Sequence, residues 1–257
     1  GAVAQAEVAA RAALGVTRAG LARDAVGGVG VQRAQCNTWS FDCPVAAQCT
    51  VEQGDLINEQ VLCDGLRDFC QPEVANHAIG LLIAVARKIG QHDISIRKGA
   101  YRGVPLYVSP PLTNETLGIV GLGNIGRQVA KRALAMDMRV LAFDPYTPAG
   151  TFLDAGVEQV PTLDALLDEA DHVSIHAPLT SETYHLFGRA QFRRMKPTAI
   201  LVNTARGPIV EEAALVEALR EGWIVGAGID VFEVEPVTPS NPLLGFENVV
   251  LTPHSAF

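Results

Sequence analysis

The chain has 257 residues, 48 % of them apolar and 19 % charged, with a formal net charge of −8 at neutral pH. That length and composition allow a sizeable core in one large or two modest domains and exclude global disorder. The acidic balance, without a basic tract, argues against nucleic acid or an anionic membrane as partner, and the longest mostly apolar run, His77 to Ala86, is too short to span a bilayer.

Residues 1–31 are Ala-rich and helical in pattern, and no charged head precedes an apolar stretch as a signal peptide would require. Residues 32–66 lack clear periodicity. Four of the five cysteines, Cys36, Cys43, Cys49 and Cys63, lie there, with Cys70 just beyond. None forms a C-x-x-C pair and no His stands among them at ligand spacing, so no metal site is expected. An odd count without an export signal fits thiols in a reducing cytoplasm, as small buried or half-buried side chains. Glu73 to Ile89 is a strongly apolar helical stretch with Pro72 at its first turn. It suits a linker helix between domains or part of a subunit interface. Arg97 to Pro111, rich in Gly, Pro and Tyr, reads as a loop.

From Thr116 onward the pattern alternates. Leu117 to Val120, Arg139 to Phe143, His172 to Ile175, Ala199 to Val202, Ile224 to Ile229 and Val249 to Leu251 are short apolar strands. Between them, Ile125, Val129 and Ala133, then Leu163, Leu166, Leu167 and Ala170, then Ala214, Leu215, Ala218 and Leu219, recur at helical spacing. Such alternation predicts an α/β fold: a doubly wound parallel sheet of the Rossmann kind, covered on both faces.

Gly121-Leu122-Gly123-Asn124-Ile125-Gly126 is a G-x-G-x-x-G run between a strand and a helix. The first glycine permits the tight turn, the second lets backbone approach a pyrophosphate, and the third lets helix and strand pack closely. Asp144, at the end of the next strand, can accept hydrogen bonds from ribose hydroxyls and repel a 2′-phosphate, which favours NAD over NADP. The plainer alternative is a turn-forming Asp before Pro145.

Three further segments each follow a predicted strand: Asn203-Thr204-Ala205-Arg206-Gly207, Gly228-Ile229-Asp230-Val231-Phe232-Glu233-Val234-Glu235-Pro236, and Leu251-Thr252-Pro253-His254. With them the chain, from about Phe69 to Phe257, closely resembles the D-isomer-specific 2-hydroxyacid dehydrogenases. That group includes phosphoglycerate, glycerate and D-lactate dehydrogenases and the C-terminal binding protein corepressors. The resemblance implies an NAD-dependent oxidoreductase that moves a hydride between nicotinamide and C2 of a small 2-hydroxy or 2-oxo acid. Arg206 would bind the substrate carboxylate and polarise the keto oxygen. His254 would be the acid/base and Glu235 would hold its imidazole. Asp230 would bind the nicotinamide carboxamide, His176-Ala177-Pro178 would lie beside the adenosine end, and Thr204 with Ala205 near the nicotinamide ring. The residue types suit the chemistry: a carbonyl reduction needs a proton donor that titrates near neutrality, a carboxylate beside it favours the imidazolium, and a planar guanidinium matches a substrate carboxylate. Each of the three could alone be a loop or surface residue; their joint placement is what argues for chemistry. His172, His185 and His92 show no such partners and read as structural or surface residues, and Met195-Lys196-Pro197 as a packing turn.

The resemblance also implies a flavodoxin-like substrate domain, here partial and divergent over residues 1–72, beside an NAD-binding domain over 73–257 in which 73–111 is linker helix and loop. Gly28-Val29-Gly30-Val31 is similar to the family's substrate-binding loop, with Val29 and Gly30 offering backbone amides. The return helix that ends the family's chains would be missing beyond Phe257. A homodimer is implied, with the apolar helix around Ile79 to Ile89 at or near the interface. The alternatives to a dehydrogenase are an NAD(H)-binding, corepressor-like scaffold and a catalytically idle fragment. A formate dehydrogenase fits less well, because that branch pairs its His with Gln where Glu235 stands here.

Overall fold

The computed structural model describes residues 70–101 and 112–256. Val29, Gly30, the first four cysteines, residues 1–69 of the expected substrate domain and most of the expected loop to Pro111 lie outside them.

Helices α1 (Gln71–Ala86) and α2 (Ile89–Arg97) come first. Then follow β1 (Thr116–Val120), α3 (Asn124–Leu134), β2 (Arg139–Phe143), α4 (Ala149–Asp154), β3 (Glu158–Gln159), α5 (Leu163–Glu169), β4 (His172–Ile175), α6 (Arg189–Arg194), β5 (Ile200–Asn203), α7 (Glu212–Arg220), β6 (Gly226–Ile229) and β7 (Val249–Leu251). Among the described residues the strands form one sheet in the order β3-β2-β1-β4-β5-β6-β7, and every neighbouring pair is parallel. The doubly wound α/β expectation therefore holds.

Alternation along the strands sorts side chains into two cores. In β5, Ile200 and Val202 join one apolar cluster and Leu201 the other, as a two-residue period requires. One face packs against α1, α3 and α4 through Ala78, Leu82, Val129 and Phe152. The other packs against α5, α6 and α7 through Leu166, Leu167, Phe192 and Leu215. Each fully buried Leu or Phe contributes about 1.5–3 kcal/mol. Thr162 opens α5 by accepting a hydrogen bond from the Ala165 N–H at 3.1 Å.

The helical stretch expected from Glu73 to Ile89 is broken. Lys88 takes a left-handed conformation (φ 52°) and α2 starts anew. Seven α1 side chains are buried, Val74, Ala75, Ala78, Ile79, Leu81, Leu82 and Ala86, whereas α2 buries none. With no apolar face to bury beyond Ala86, the first helix has nothing to hold its direction. The apolar character of α1 is accounted for by packing on its own sheet. The Gly226-Ala227-Gly228 run of β6 lets it approach closely, for a Cβ on Gly228 would stand 2.8 Å from the Leu81 Cβ. Among the described residues no helix is long and apolar enough to cross a membrane.

β1, β2 and β3 run outward to one side and β4 to β7 to the other, so the order reverses between β1 and β4. In open parallel sheets this switch point, at the carboxyl ends of the strands, is where a crevice forms. β1 runs there into Gly121 and β4 into His176.

Candidate active site

The glycine loop is shaped by contacts that no side chain could survive. Gly121 has φ +92°, and a Cβ on it would lie 2.7 Å from the Ala177 nitrogen. A Cβ on Gly126 would lie 2.2 Å from the Gly121 carbonyl oxygen, so α3 sits directly on the loop. Gly123, which precedes the first turn of α3, faces open space instead. That is the position where a pyrophosphate would need room.

Asp144 follows β2 and turns its carboxylate to this loop. Its Oδ2 accepts the Leu122 N–H at 2.8 Å and the Thr147 hydroxyl at 2.9 Å. Its Oδ1 accepts the N–H groups of Tyr146 at 2.9 Å and Thr147 at 3.2 Å. The carboxylate thus closes its own turn and also holds the glycine loop. Four donors meet its roughly four lone-pair positions, so a ribose hydroxyl would have to share or replace the Thr147 hydroxyl.

His176 follows β4. Its Nε2 is 2.8 Å from the Ser174 hydroxyl, while Nδ1 is sealed from solvent without a partner among the described residues. The residue as a whole is half-buried, but it is the enclosed ring that governs titration, and burial pushes its pKa down to about 4. Among the described residues, Thr204 Oγ1, after β5, is likewise a buried polar atom without a partner. Buried polar atoms are nearly always satisfied. One orphan next to the glycine loop and one at the end of β5 fit a dinucleotide that would lie along the carboxyl ends of β1, β4 and β5. Pro178 is exposed at the start of the next loop, its carbonyl accepting the Thr183 hydroxyl at 2.6 Å.

The second half of the site stands on the turns after β5, β6 and β7. Asn203 shapes the first turn, accepting the Ala205 N–H and donating to the Arg206 carbonyl, both at 3.0 Å. Arg206 is exposed and donates to the Ala205 carbonyl at 2.6 Å. The next residue, Gly207, lies against the β6 turn so tightly that a Cβ would fall 1.8 Å from the Phe232 oxygen. Beyond Phe232, the Glu235 Oε1 accepts the Phe232 N–H at 2.8 Å, and its Oε2 stands 2.8 Å from His254 Nδ1. The Glu235–Pro236 peptide is cis. His254 itself has φ 52°, a conformation that persists in a non-glycine residue only where the surroundings over-determine it. Asp230 supplies that constraint. Wholly buried, it accepts the Thr252 hydroxyl at 2.5 Å and the N–H groups of Ser255 at 2.9 Å and Ala256 at 3.0 Å. Its carbonyl accepts the His254 N–H at 2.7 Å. The pairing at Nδ1 orients the His254 ring.

The structure therefore places the sequence-selected residues in two groups at the carboxyl ends of the strands. Gly121, Gly123, Asn124, Ile125, Gly126, Asp144, His176 and Pro178 form the first. Thr204, Ala205, Arg206, Asp230, Glu235 and His254 form the second. Two readings change. His185 does have a carboxylate partner, Glu233, at 2.7 Å, and the buried His172 has Glu115 at 2.5 Å. One participant carried no sequence signal: His77 on α1 bonds Thr252 at 2.9 Å and stands 3.4 Å from Asp230. A cleft of about 690 Å³ borders the Ser255–Ala256 segment from the α1 side. It touches neither the glycine loop nor Arg206, and its lining includes His77, Ser255 and Ala256, which surround the Asp230 carboxylate.

Residues 79–256 match the profile of the D-isomer specific 2-hydroxyacid dehydrogenase NAD binding domain. The chain is 50 % identical over 185 residues to a glyoxylate reductase of Korarchaeum cryptofilum, covering 71 % of this chain and 55 % of that protein. It is 46 % identical over 182 residues to a D-3-phosphoglycerate dehydrogenase of Archaeoglobus fulgidus, covering 71 % and 34 %. Among solved structures, D-lactate dehydrogenase with NAD+ from Lactobacillus jensenii superimposes with a TM-score of 0.64 at 34 % identity, covering 72 % of this chain and 59 % of that one. The chain spans about half the length, or less, of these relatives.

Proposed function

From the chain's membership of the D-isomer specific 2-hydroxyacid dehydrogenase family, we propose that it transfers a hydride between NAD and C2 of a small 2-hydroxy or 2-oxo acid. The observation that carries this reading is the Glu235–His254 pair, 2.8 Å apart, beside the turn that presents Arg206. Bound NAD supplies the hydride chemistry itself. The residues Gly121, Gly123, Asn124, Ile125 and Gly126 would hold its pyrophosphate, Asp144 would take its ribose in place of or beside the Thr147 hydroxyl, and His176 and Pro178 would flank the adenosine end. Thr204, Ala205 and Asp230 border the nicotinamide.

Arg206 holds the substrate carboxylate through its planar fork. His254 carries a proton on Nε2 and gives it to the carbonyl oxygen as that oxygen gains charge. Glu235 accepts the Nδ1 hydrogen, which fixes the ring's orientation. In the oxidative direction the same nitrogen takes the proton back.

The test is NADH oxidation with glyoxylate, hydroxypyruvate, pyruvate and bulkier 2-oxo acids, with His254→Ala as control. Turnover that disappears in the variant, while NADH binding persists, is expected. No turnover on any acid with NADH still bound would refute turnover by this chain and leave the nucleotide-binding scaffold and the catalytically idle fragment. A homodimer is proposed on the family resemblance, with Ile89 of the expected interface stretch exposed, and a cytoplasmic location on cysteines that suit free thiols in a reducing compartment.

A further inference from the structure

We propose that His185 is a positioning residue, which sets the Glu235–His254 geometry through its pairing with Glu233. The inference rests on the function proposed above and names a residue that the catalytic scheme does not use.

The argument starts from the loop between β6 and Glu235. Glu235 can face His254 only because its own Oε1 folds back on the Phe232 N–H, at 2.8 Å. The curvature of residues 232–235 therefore sets where Oε2 stands. Glu233 lies in the middle of that curve, and each of its oxygens is held by a different element. Oε1 pairs with His185 Nε2 at 2.7 Å, and Oε2 accepts the Glu212 N–H at 3.0 Å, at the start of α7. Glu212 in turn accepts the Asn241 amide at 2.7 Å, which ties in the segment beyond Pro236.

His185 is itself held rigidly. It sits in the loop after β4 with φ 51°, and its N–H donates to the Pro208 carbonyl at 2.8 Å. Its ring stacks on Tyr184 with centroids 4.0 Å apart. Pro208 is two residues past Arg206. One residue thus links the turn that presents Arg206, through its backbone N–H, to the loop that presents Glu235, through its imidazole. The pair is only partly buried, with side-chain exposures of 30 % and 27 %. A contact of that kind contributes modestly to overall stability, so its effect falls on local geometry.

The experiment compares wild type with His185→Ala, His185→Gln and Glu235→Ala. Glutamine is the conservative variant, because its amide can still donate to Glu233 from near the Nε2 position. The first readout is the 15N chemical shift of His254 Nδ1, which reports its hydrogen bond to Glu235 without requiring turnover. In His185→Ala it is expected to move toward the Glu235→Ala value, and in His185→Gln to return toward wild type. The second readout is turnover of NADH with glyoxylate. The kcat of His185→Ala should fall by about ten- to a hundredfold, the order reached when a reacting group is misplaced by about an ångström, with the NADH dissociation constant within about twofold and recovery in His185→Gln. An unchanged Nδ1 shift in His185→Ala overturns the inference, as does a lower Tm with unchanged kcat. A wild type that fails to turn over refutes the proposed reaction instead, and the Nδ1 shift still decides the role of His185.

Discussion

Gly207→Ala is the substitution with the most direct consequence. The added methyl carbon would fall 1.8 Å from the Phe232 oxygen, 2.0 Å from the Phe232 carbonyl carbon and 2.6 Å from the Glu233 nitrogen. All three are backbone atoms, so no rotamer change relieves the clash. A carbon and an oxygen rest no closer than about 3.3 Å, so the turn after β5 and the loop after β6 must separate by roughly 1.5 Å. That movement carries Arg206 away from Glu235 and His254. Overpacking of this kind costs about 1–3 kcal/mol, a fall in Tm of roughly 2–12 °C for a domain of this size. A displacement beyond an ångström at reacting groups costs about a hundredfold in kcat. Thermal unfolding followed by circular dichroism and steady-state NADH oxidation with glyoxylate measure the two effects. Because the glycine loop follows β1, two strands from β5, and Asp144 follows β2, three strands from it, the adenosine and pyrophosphate contacts should persist and NADH affinity should change less than kcat. A variant with wild-type Tm and kcat would refute the close approach of the two loops.

Gly80 is the contrasting case. It lies within α1 and a Cβ there meets nothing within 4 Å, so Gly80→Ala should raise stability by about 0.5–1 kcal/mol; a fall in the urea midpoint would show the space to be filled. His176 makes a pH prediction. Burial holds its pKa at about 4 against the ordinary 6.5, so between those values the unfolded chain binds a proton that the folded chain does not. Stability therefore falls as the pH drops from about 6.5 toward about 4, and that loss does not grow further below the folded value. Burial lowers His172 too, overcoming the pull of Glu115, so His176→Gln should remove only part of the stability difference between urea titrations at pH 7 and pH 5. If the difference is as large in the variant as in wild type, the ring of His176 is not enclosed as described.

Much of the fold was legible because parallel strands announce themselves as short apolar runs, and the five-residue β1 is buried throughout. The glycine loop could be read because each glycine answers a local steric demand, met here at Gly121 and Gly126. The Glu235–His254 contact was inferred from resemblance and from the types of residue that the chemistry needs. What escaped was longer in range or locally ambiguous. His185 and Glu233 are 48 residues apart, and His77 and Thr252 are 175 apart; only the sheet order brings them together. Asp144 posed a choice between turn-former and ligand, and its two oxygens serve the turn and the glycine loop at once. The break at Lys88 falls one residue inside the expected end of that helix, and its left-handed turn has no glycine to signal it.

The strand β3 has only two residues, Glu158 and Gln159, both exposed, and Glu158 forks onto Arg139 of β2. An edge strand normally offers a row of unsatisfied amides and carbonyls to any extended chain that meets it. Here that row is two residues long and flanked by a charged pair, so a foreign strand could register on it only briefly. One border of a sheet otherwise built from sticky apolar strands is thus guarded against edge-to-edge aggregation, and Glu158→Val is the change that would weaken the guard.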